Sequence, residues 1–305
     1  MTNTPNKGLS LQDKFDIAKK QSEGGNPDCG YSIDGRLYNA YLTNDEWDEF
    51  VRAMPPAIKK QFGNGSGGEM RERKTRYGNR VPPKMASYGS SSRMLYGLAK
   101  DIPDFNFEHK LPTRIGGDAH LDGYIENGNL YIEAKCREIY GGKGDVKPDY
   151  DPLYDYLSRY TLLGFDRRNK MVTFHWNEQE IKHFDLKQMI CHLLGIANDL
   201  LCRGIEPVNF LYLVYQPTQD LLSYMEDNDS HKTQEIWGQE KQEAESIDFK
   251  QLYYYIALYL HTKMNVGRDN TTKQIEKMAG GFSFSFCTQN DFTDHINRTQ
   301  NVRKV

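Results

Sequence analysis

Three stretches in the middle of the chain alternate apolar and polar residues. They cover residues 105–111, 119–126 and 129–136. A period of two is typical of half-buried β-strands, because successive side chains point to opposite faces of a sheet. Further along, residues 185–202 have helical spacing, and the apolar run VNFLYLVY at 208–215 indicates a buried strand. This helix followed by a strand predicts a crossover that adds the strand to the same sheet.

Helical patterns flank these strands. Thr43 and Glu46 have capping-box spacing, and Ser90 begins a serine run that offers N-cap residues. Pro55 and Pro56 end the first of these helices, and Pro103 follows the helix that begins at the serine run. The predicted helices cover residues 43–54, 90–102 and 185–202, together with a Tyr-rich segment from 249 to about 261. A further short helix follows the first one and ends at residue 62. An extended FSFSF segment near Phe282 completes the pattern.

Asn127 and Gly128 lie between two of the alternating stretches. This pair indicates a two-residue β-hairpin with a type I′ turn, which requires positive φ at both central residues. In that register Tyr124 faces Tyr131, Asp122 faces Glu133 and His120 faces Lys135. The opposite, core-facing side of the hairpin then carries the apolar residues Leu121, Ile125, Leu130, Ile132, Ala134 and Cys136.

Asp122 and Glu133 would place like charges on facing positions of the hairpin. Facing Cβ atoms are only about 4.5–5.5 Å apart, so the two carboxylates repel each other. A divalent cation would remove the repulsion, and Mg²⁺ prefers carboxylate, water and phosphate oxygens. Lys135 would then reach the attacking water or the phosphate. The alternative is a solvated ion-pair cluster, because E-x-K triplets occur four times in the chain.

The arrangement D-x10-E-A-K resembles the PD-(D/E)XK, or restriction-endonuclease-like, nuclease superfamily over roughly residues 85–216. The order helix, three antiparallel strands, helix and strand is that of the superfamily. The match is strongest to uncharacterised bacterial families of this kind, and the shared segments are Gly67–Glu69, Ser90–Ser92, Phe107–Pro112, Leu121–Asp122 and Glu133–Lys135. Leu121 replaces the proline of the motif.

The resemblance implies roles for individual residues. Asp122, Glu133 and the backbone carbonyl of Ala134 would bind Mg²⁺, with Mn²⁺ as a substitute, and Lys135 would orient or activate water. Glu69 or Glu108 would add a further carboxylate. Gln188 corresponds to the Gln of a Q-x-x-x-Y motif, in which His192 replaces the Tyr. The resemblance therefore implies a metal-dependent endonuclease that hydrolyses DNA phosphodiester bonds. The alternative is a catalytically inactive DNA-binding or assembly module with the same fold.

A basic run lies before the predicted sheet, although the net charge of the whole chain is −3. It is either a solvated loop or a segment that contacts DNA phosphates. The Gly-rich loop before it lacks the Lys of a Walker motif, since Glu69 stands there. The basic residues are Arg71, Arg73, Lys74, Arg76, Arg80 and Lys84, whereas residues 220–248 are strongly acidic.

Composition limits the class of protein. The chain has 305 residues, of which 38% are hydrophobic and 27% charged, as in globular proteins. It lacks the run of about 18 apolar residues of a membrane span and an N-terminal signal core, so we expect a cytoplasmic protein without a membrane partner. Its five scattered cysteines do not indicate disulfides. Zinc binding is a further alternative, with the candidate ligands His175, His183, Cys191 and His192.

These patterns together predict an α/β (α+β) protein with a restriction-endonuclease-like mixed central sheet flanked by helices and extended at both ends. The expected divisions are a flexible N-terminal arm at 1–30, a helical region with the basic loop at 31–84, the nuclease core at 85–216 and a C-terminal helical region at 217–305. DNA is the expected partner, and a homodimer is left open. The Tyr-rich helix either packs in the core, forms a dimer face or stacks on bases.

Overall fold

A computed structural model gives the fold of most of the chain. It describes residues 30–33, 36–39, 42, 44–65, 69–74, 80–87, 89–136, 146–168, 171–204, 206–216 and 227–301. The helices in these ranges are α1 (Asn44–Ala53), α2 (Pro56–Asn64), α3 (Ser91–Ala99), α4 (Asp151–Tyr160), α5 (Leu186–Arg203), α6 (Asp227–Ser246), α7 (Phe249–Met264), α8 (Thr272–Gly280) and α9 (Phe292–Asn301).

The strands form one large sheet and three small ones. Their bounds are β1 (Gly30–Ile33), β2 (Arg36–Asn39), β3 (Arg73–Lys74), β4 (Arg80–Val81), β5 (Phe105–Pro112), β6 (Asp118–Ile125), β7 (Leu130–Lys135), β8 (Leu163–Arg168), β9 (Met171–Trp176), β10 (Gln179–Ile181), β11 (Val208–Val214) and β12 (Phe282–Thr288). The large sheet has the order β12-β11-β7-β6-β5. Strands β5, β6 and β7 pair antiparallel, and β7, β11 and β12 pair parallel. The prediction of a mixed central sheet flanked by helices is therefore confirmed.

Helices cover both faces of this sheet. One core contains buried residues of α4, α5, α7 and α8 together with Tyr131 of β7. The other contains residues of α2, α3 and α9 together with Ile132 of β7. Every residue of β7 is buried as a result. The prediction that this strand is half-buried is wrong, because its alternating polar residues face a second core and not solvent.

The turn between β6 and β7 differs from the predicted type. Positive φ occurs at Gly128 (126°) and Asn129 (43°), and Asn127 is not among the residues with positive φ. The turn is closed by a hydrogen bond from Asn129 N to Glu126 O, at 3.0 Å. The type I′ prediction is therefore wrong. The predicted register is nevertheless confirmed for Tyr124, which pairs with Tyr131.

The facing of side chains changes along β5 and β6. Phe107 and Ile125 belong to the core next to α3, whereas Leu111 and Leu121 belong to the core next to α5. Glu108 lies between them with a φ of 55°, a left-handed conformation that breaks the strict alternation of a strand. The prediction that Leu121 shares the core side with Ile125 is wrong, because Leu121 packs in the core next to α5 and Ile125 in the core next to α3.

Close packing fixes α5 on the sheet. A Cβ atom built on Gly195 would lie 2.7 Å from the Cβ of Ala119 and 3.0 Å from that of Leu111. Only a residue without a side chain permits this approach of helix and sheet. Asp185 caps the N-terminus of α5 by accepting a hydrogen bond from Gln188 N at 3.0 Å. Asp185 therefore fixes where α5 begins, and Gly195 allows its close approach to the sheet.

Helix α6, formed by the acidic segment, is anchored by a buried carboxylate. Glu243 accepts hydrogen bonds from the backbone N–H groups of Lys182, His183 and Phe184 at 2.8–2.9 Å. Glu240 accepts a hydrogen bond from the hydroxyl of Tyr212 at 3.0 Å. Two acids of a segment that looks solvated in the sequence are thus buried, because they satisfy polar groups of distant elements.

The expected divisions of the chain stay predictions, and the expected arm at 1–30 lies almost wholly outside the described residues. Thr43, the predicted cap of α1, also lies outside them. Among the described helices, none is long and apolar enough to cross a membrane.

Candidate functional site

The candidate site lies where the end of β7 meets the first turns of α5. Lys135 Nζ lies 2.7 Å from Glu133 Oε1 and donates a hydrogen bond to Gln188 Oε1 at 2.6 Å. Gln188 Nε2 donates to Glu133 Oε1 at 2.7 Å. His192 Nε2 lies 2.9 Å from Glu133 Oε2. Glu133 is therefore surrounded by an ammonium, an amide and an imidazole.

Local structure explains why these four side chains meet. Glu133 and Lys135 are two residues apart on a strand and so point to the same face. Gln188 and His192 are four residues apart on α5 and share one side of the helix. The parallel pairing of β7 with β11, in which Glu133 faces Tyr212, holds the strand under the helix. The sequence indicated His192 only through its spacing from Gln188; its contact with Glu133 needed the tertiary structure.

Asp122 lies beside this group, but it does not form the predicted ladder pair with Glu133. The described pairs of β6 and β7 end at Gly123 and Ile132. Beyond them, Asp122 Oδ2 accepts a hydrogen bond from Ala134 N at 2.7 Å. Burial, and then the charge of Glu133, raise the pKa of Asp122 well above its usual value. The raised pKa favours the protonated, uncharged form of Asp122, which reduces the repulsion between Asp122 and Glu133.

Glu133 shows the opposite behaviour. Burial alone would raise its pKa, but the charges of Lys135 and His192 outweigh burial and lower the pKa to about 2. The side chains of Glu133 and Lys135 are only 3% and 10% exposed, so solvent screens their attraction little. The ammonium group of Lys135 thus places positive charge directly beside Glu133.

Two further acids extend the site towards α2. Burial, and next the charge of Glu69, raise the pKa of Glu108 to about 7. Glu69 is 6% exposed and forms an ion pair with Lys84 at 3.2 Å. Lys110 donates a hydrogen bond to the backbone carbonyl of Asn64. The structure therefore brings Glu69 and Glu108 within electrostatic reach of the predicted site.

The arrangement of these side chains does not fit Mg²⁺. Oε1 of Glu133 is engaged by Lys135 and Gln188, and Oε2 faces His192. Within the part of the chain that the structure describes, no group of three or more His, Cys, Asp or Glu residues is arranged to hold a metal ion. The roles expected of Asp122, Glu133 and the Ala134 carbonyl towards Mg²⁺ or Mn²⁺ stay predictions.

The residues of the basic run are only partly described. Arg73 and Lys74 form β3, which pairs antiparallel with β4, where Arg80 lies. Arg71 is exposed. Lys84 is held by Glu69, and Arg76 lies outside the described residues. The predicted loop therefore contains a short two-stranded hairpin that connects to the acidic end of the site through the Glu69–Lys84 ion pair. We call Arg71 together with the paired strands β3 and β4 the basic hairpin.

Comparison with known proteins gives one similarity. The DNA repair and recombination protein RadB of Methanobrevibacter smithii is 26% identical to this chain over 181 residues. The matched part makes up 59% of this chain and 64% of RadB, so the chain spans less than two thirds of the length of that relative. No protein-family model and no solved structure matches the chain.

The similarity corrects the function expected from the sequence. RadB is named for DNA repair and recombination and not for phosphodiester hydrolysis. The prediction of a metal-dependent endonuclease is therefore wrong. The resemblance to the PD-(D/E)XK superfamily stays a prediction. The chain is similar, over part of its length, to a protein of DNA repair and recombination.

Proposed function

We propose that this chain binds DNA and acts in DNA repair or recombination. The observation that carries the proposal is the similarity to RadB, whose name states that process. The basic hairpin supplies the surface, because Arg and Lys side chains that contact phosphates release counterions and so provide affinity without regard to sequence.

The acidic site has a structural role in this proposal. Glu133 is neutralised by Lys135 and lies beside His192, and burial favours the protonated forms of Asp122 and Glu108. A compensated site of this kind presents less negative charge to an approaching phosphate backbone than three free carboxylates would. DNA on the adjacent basic hairpin is therefore not repelled as the sequence alone suggests.

The finer fold assignment is part of the same proposal. Elements α3, β5, β6, β7, α5 and β11 follow one another in the order that the sequence resemblance implies for a restriction-endonuclease-like core, with α4, β8, β9 and β10 inserted between β7 and α5. We infer that this scaffold is used here for DNA binding. The cytoplasm remains the expected compartment.

Fluorescence anisotropy with a labelled DNA duplex tests the proposal. The wild type should bind with an affinity that falls as salt rises. The variant Arg71→Ala/Arg73→Ala/Lys74→Ala should bind more weakly, and its slope of log K against log salt should become less negative by about 0.9 for each phosphate that is no longer neutralised. The matched control Lys250→Ala/Lys273→Ala/Lys277→Ala removes three exposed positive charges on α7 and α8 and should leave the slope unchanged.

Two results would overturn the proposal. One is a wild-type protein that does not bind duplex DNA at low salt, and the other is equal weakening in the basic-hairpin variant and its control. The same DNA incubated with Mg²⁺ or Mn²⁺ tests the expected deoxyribonuclease activity directly. The proposal expects the DNA to stay intact. Cleavage that disappears in Lys135→Ala would contradict it.

A further inference from the structure

Five tyrosines from two helices form one continuous aromatic surface, which we call the tyrosine patch. Tyr156 and Tyr160 belong to α4, and Tyr254, Tyr255 and Tyr259 belong to α7. Ring centroids lie 5.2 Å apart for Tyr259 and Tyr156, 4.8 Å for Tyr156 and Tyr160, 5.4 Å for Tyr160 and Tyr255, and 5.0 Å for Tyr254 and Tyr255. The patch is therefore longer than one nucleotide step of a stacked strand, which is about 3.4 Å.

Helical spacing explains how this surface forms. Tyr156 and Tyr160 are four residues apart, as are Tyr255 and Tyr259, so each pair lies on one side of its helix. Tyr253, next to them in the sequence, is fully buried in the core. Core packing is thus correct for Tyr253, whereas Tyr254, Tyr255 and Tyr259 are only partly buried and pack against the same core. The spacing of four residues between Tyr156 and Tyr160 is the signal in the sequence that indicates this surface.

The patch is open to solvent at its centre. Tyr160 is 50% exposed, and Leu162, which follows α4, is 54% exposed. Exposed apolar groups of this size next to one another mark interaction sites more often than isolated ones do. The rings are uncharged at neutral pH, because the ordinary pKa of a tyrosine hydroxyl is about 10, and burial raises the pKa of Tyr156, Tyr254 and Tyr259 further.

A groove with excess positive charge borders the patch. Its volume is about 300 Å³, and Tyr156 and Tyr259 line it together with Pro152, Asp155, Arg159 and Lys263. This volume is at the lower limit of small-ligand sites, which span about 300–1,000 Å³. The groove contains two cations and one carboxylate, and Arg159 and Lys263 are exposed. An anion with flat rings would satisfy both features.

We propose that the tyrosine patch binds single-stranded DNA, with bases stacked on the rings and phosphates near Arg159 and Lys263. Aromatic side chains bind any base by its flat face, so this mode requires no particular sequence. A second copy of the chain fits less well, because a two-fold interface would set this surface against itself and bring its excess positive charge together. The inference rests on the proposed function and assigns it a second DNA form, separate from the duplex on the basic hairpin.

Anisotropy with a labelled oligothymidylate of about 20 nucleotides tests the inference on the full chain. The variants Tyr160→Ala and Tyr255→Ala should each weaken binding of the single strand about 5- to 100-fold, which is the effect of losing one stacked base. Tyr160→Phe keeps the ring and should retain binding. Binding of the duplex should stay as in the wild type.

Met171→Ala is the matched control, since Met171 is 73% exposed and lies on β9. It should not change the affinity for the single strand. Thermal unfolding of each variant establishes that it is folded.

Unchanged affinity in both alanine variants overturns the inference but leaves the proposed function standing if the duplex still binds. If the wild type sediments as a dimer and the alanine variants as monomers, without a change in affinity for the single strand, the patch is assigned to self-association and the inference is overturned as well. Failure of the wild type to bind either DNA overturns both proposals.

Discussion

Glu108→Gln removes a carboxyl group whose ionisation is unfavourable in the folded protein. Burial and the negative charges of Glu69 and Glu133 raise its pKa from 4.5 to about 7, against the opposing charges of Lys84 and Lys110. Glutamine has nearly the same shape but no charge. The substitution should therefore stabilise the protein under conditions in which Glu108 is ionised.

The pH range follows from the direction of the change in pKa. Below pH 4.5 the carboxyl is protonated in both the folded and the unfolded chain, so ionisation contributes nothing. Between pH 4.5 and about 7 the unfolded chain loses the proton first, and the folded wild type becomes progressively less stable as the pH rises. Each pKa unit corresponds to about 1.4 kcal/mol, so the cost reaches up to about 3 kcal/mol above pH 7.

Urea unfolding at pH 4.5 and at pH 8, followed by tryptophan fluorescence, measures this effect. Glu108→Gln should raise the free energy of unfolding by up to about 3 kcal/mol at pH 8 and by much less at pH 4.5. Glu126→Gln, at an exposed position of the β6–β7 turn, is the control and should change stability by less than about 0.5 kcal/mol. An equal effect of Glu108→Gln at both pH values, or destabilisation at pH 8, would refute the assignment of an unfavourable buried charge.

Two further substitutions test the packing and the charge compensation. Gly195→Ala should destabilise the protein by about 1–3 kcal/mol, because its Cβ would lie 2.7 Å from that of Ala119. Gly238→Ala, at an exposed position of α6 with open space around it, should instead stabilise by about 0.5–1 kcal/mol; the same sign for both in urea unfolding would contradict the close approach of helix and sheet. Lys135→Met should cost about 3–5 kcal/mol, because Glu133 keeps its buried charge without its ammonium partner, and Lys135→Met/Glu133→Gln should recover part of that loss. A double variant less stable than Lys135→Met would show that the ion pair is not what stabilises the site.

Local patterns in the sequence predicted the parts of the fold that depend on neighbouring residues. Strands β5, β6, β7 and β11 and helices α3 and α5 lie within a few residues of their predicted bounds, because periods of 2 and 3.6 residues are set by backbone geometry. The small sheet of β8, β9 and β10 was not predicted. Strands β8 and β9 have several exposed or partly buried positions. Polar residues occupy many of them, so the apolar alternation that indicates a strand is weak.

The burial of acids in the segment 220–248 was also not predicted from the sequence. Its acids indicated only a charged, solvated stretch, yet Glu240 and Glu243 of α6 are buried. A carboxylate is buried only where donors are available, and here the donors come from Tyr212 and from the backbone of residues 182–184. Such partners are about 30–60 residues away along the chain, so no local pattern reveals them.

The sequence by itself determined the register of the β6–β7 hairpin, and with it the proximity of Asp122, Glu133 and Lys135. Register follows from the length of the connection, which keeps Tyr124 opposite Tyr131 even though the turn type differs. Only the tertiary structure decided what this proximity means. Helix α5 brings Gln188 and His192 to Glu133, and helices on both faces exclude water. The charge of Glu133 is therefore balanced by Lys135, and burial together with Glu133 raises the pKa of Asp122, whereas the metal ion that the sequence indicated here stays a prediction.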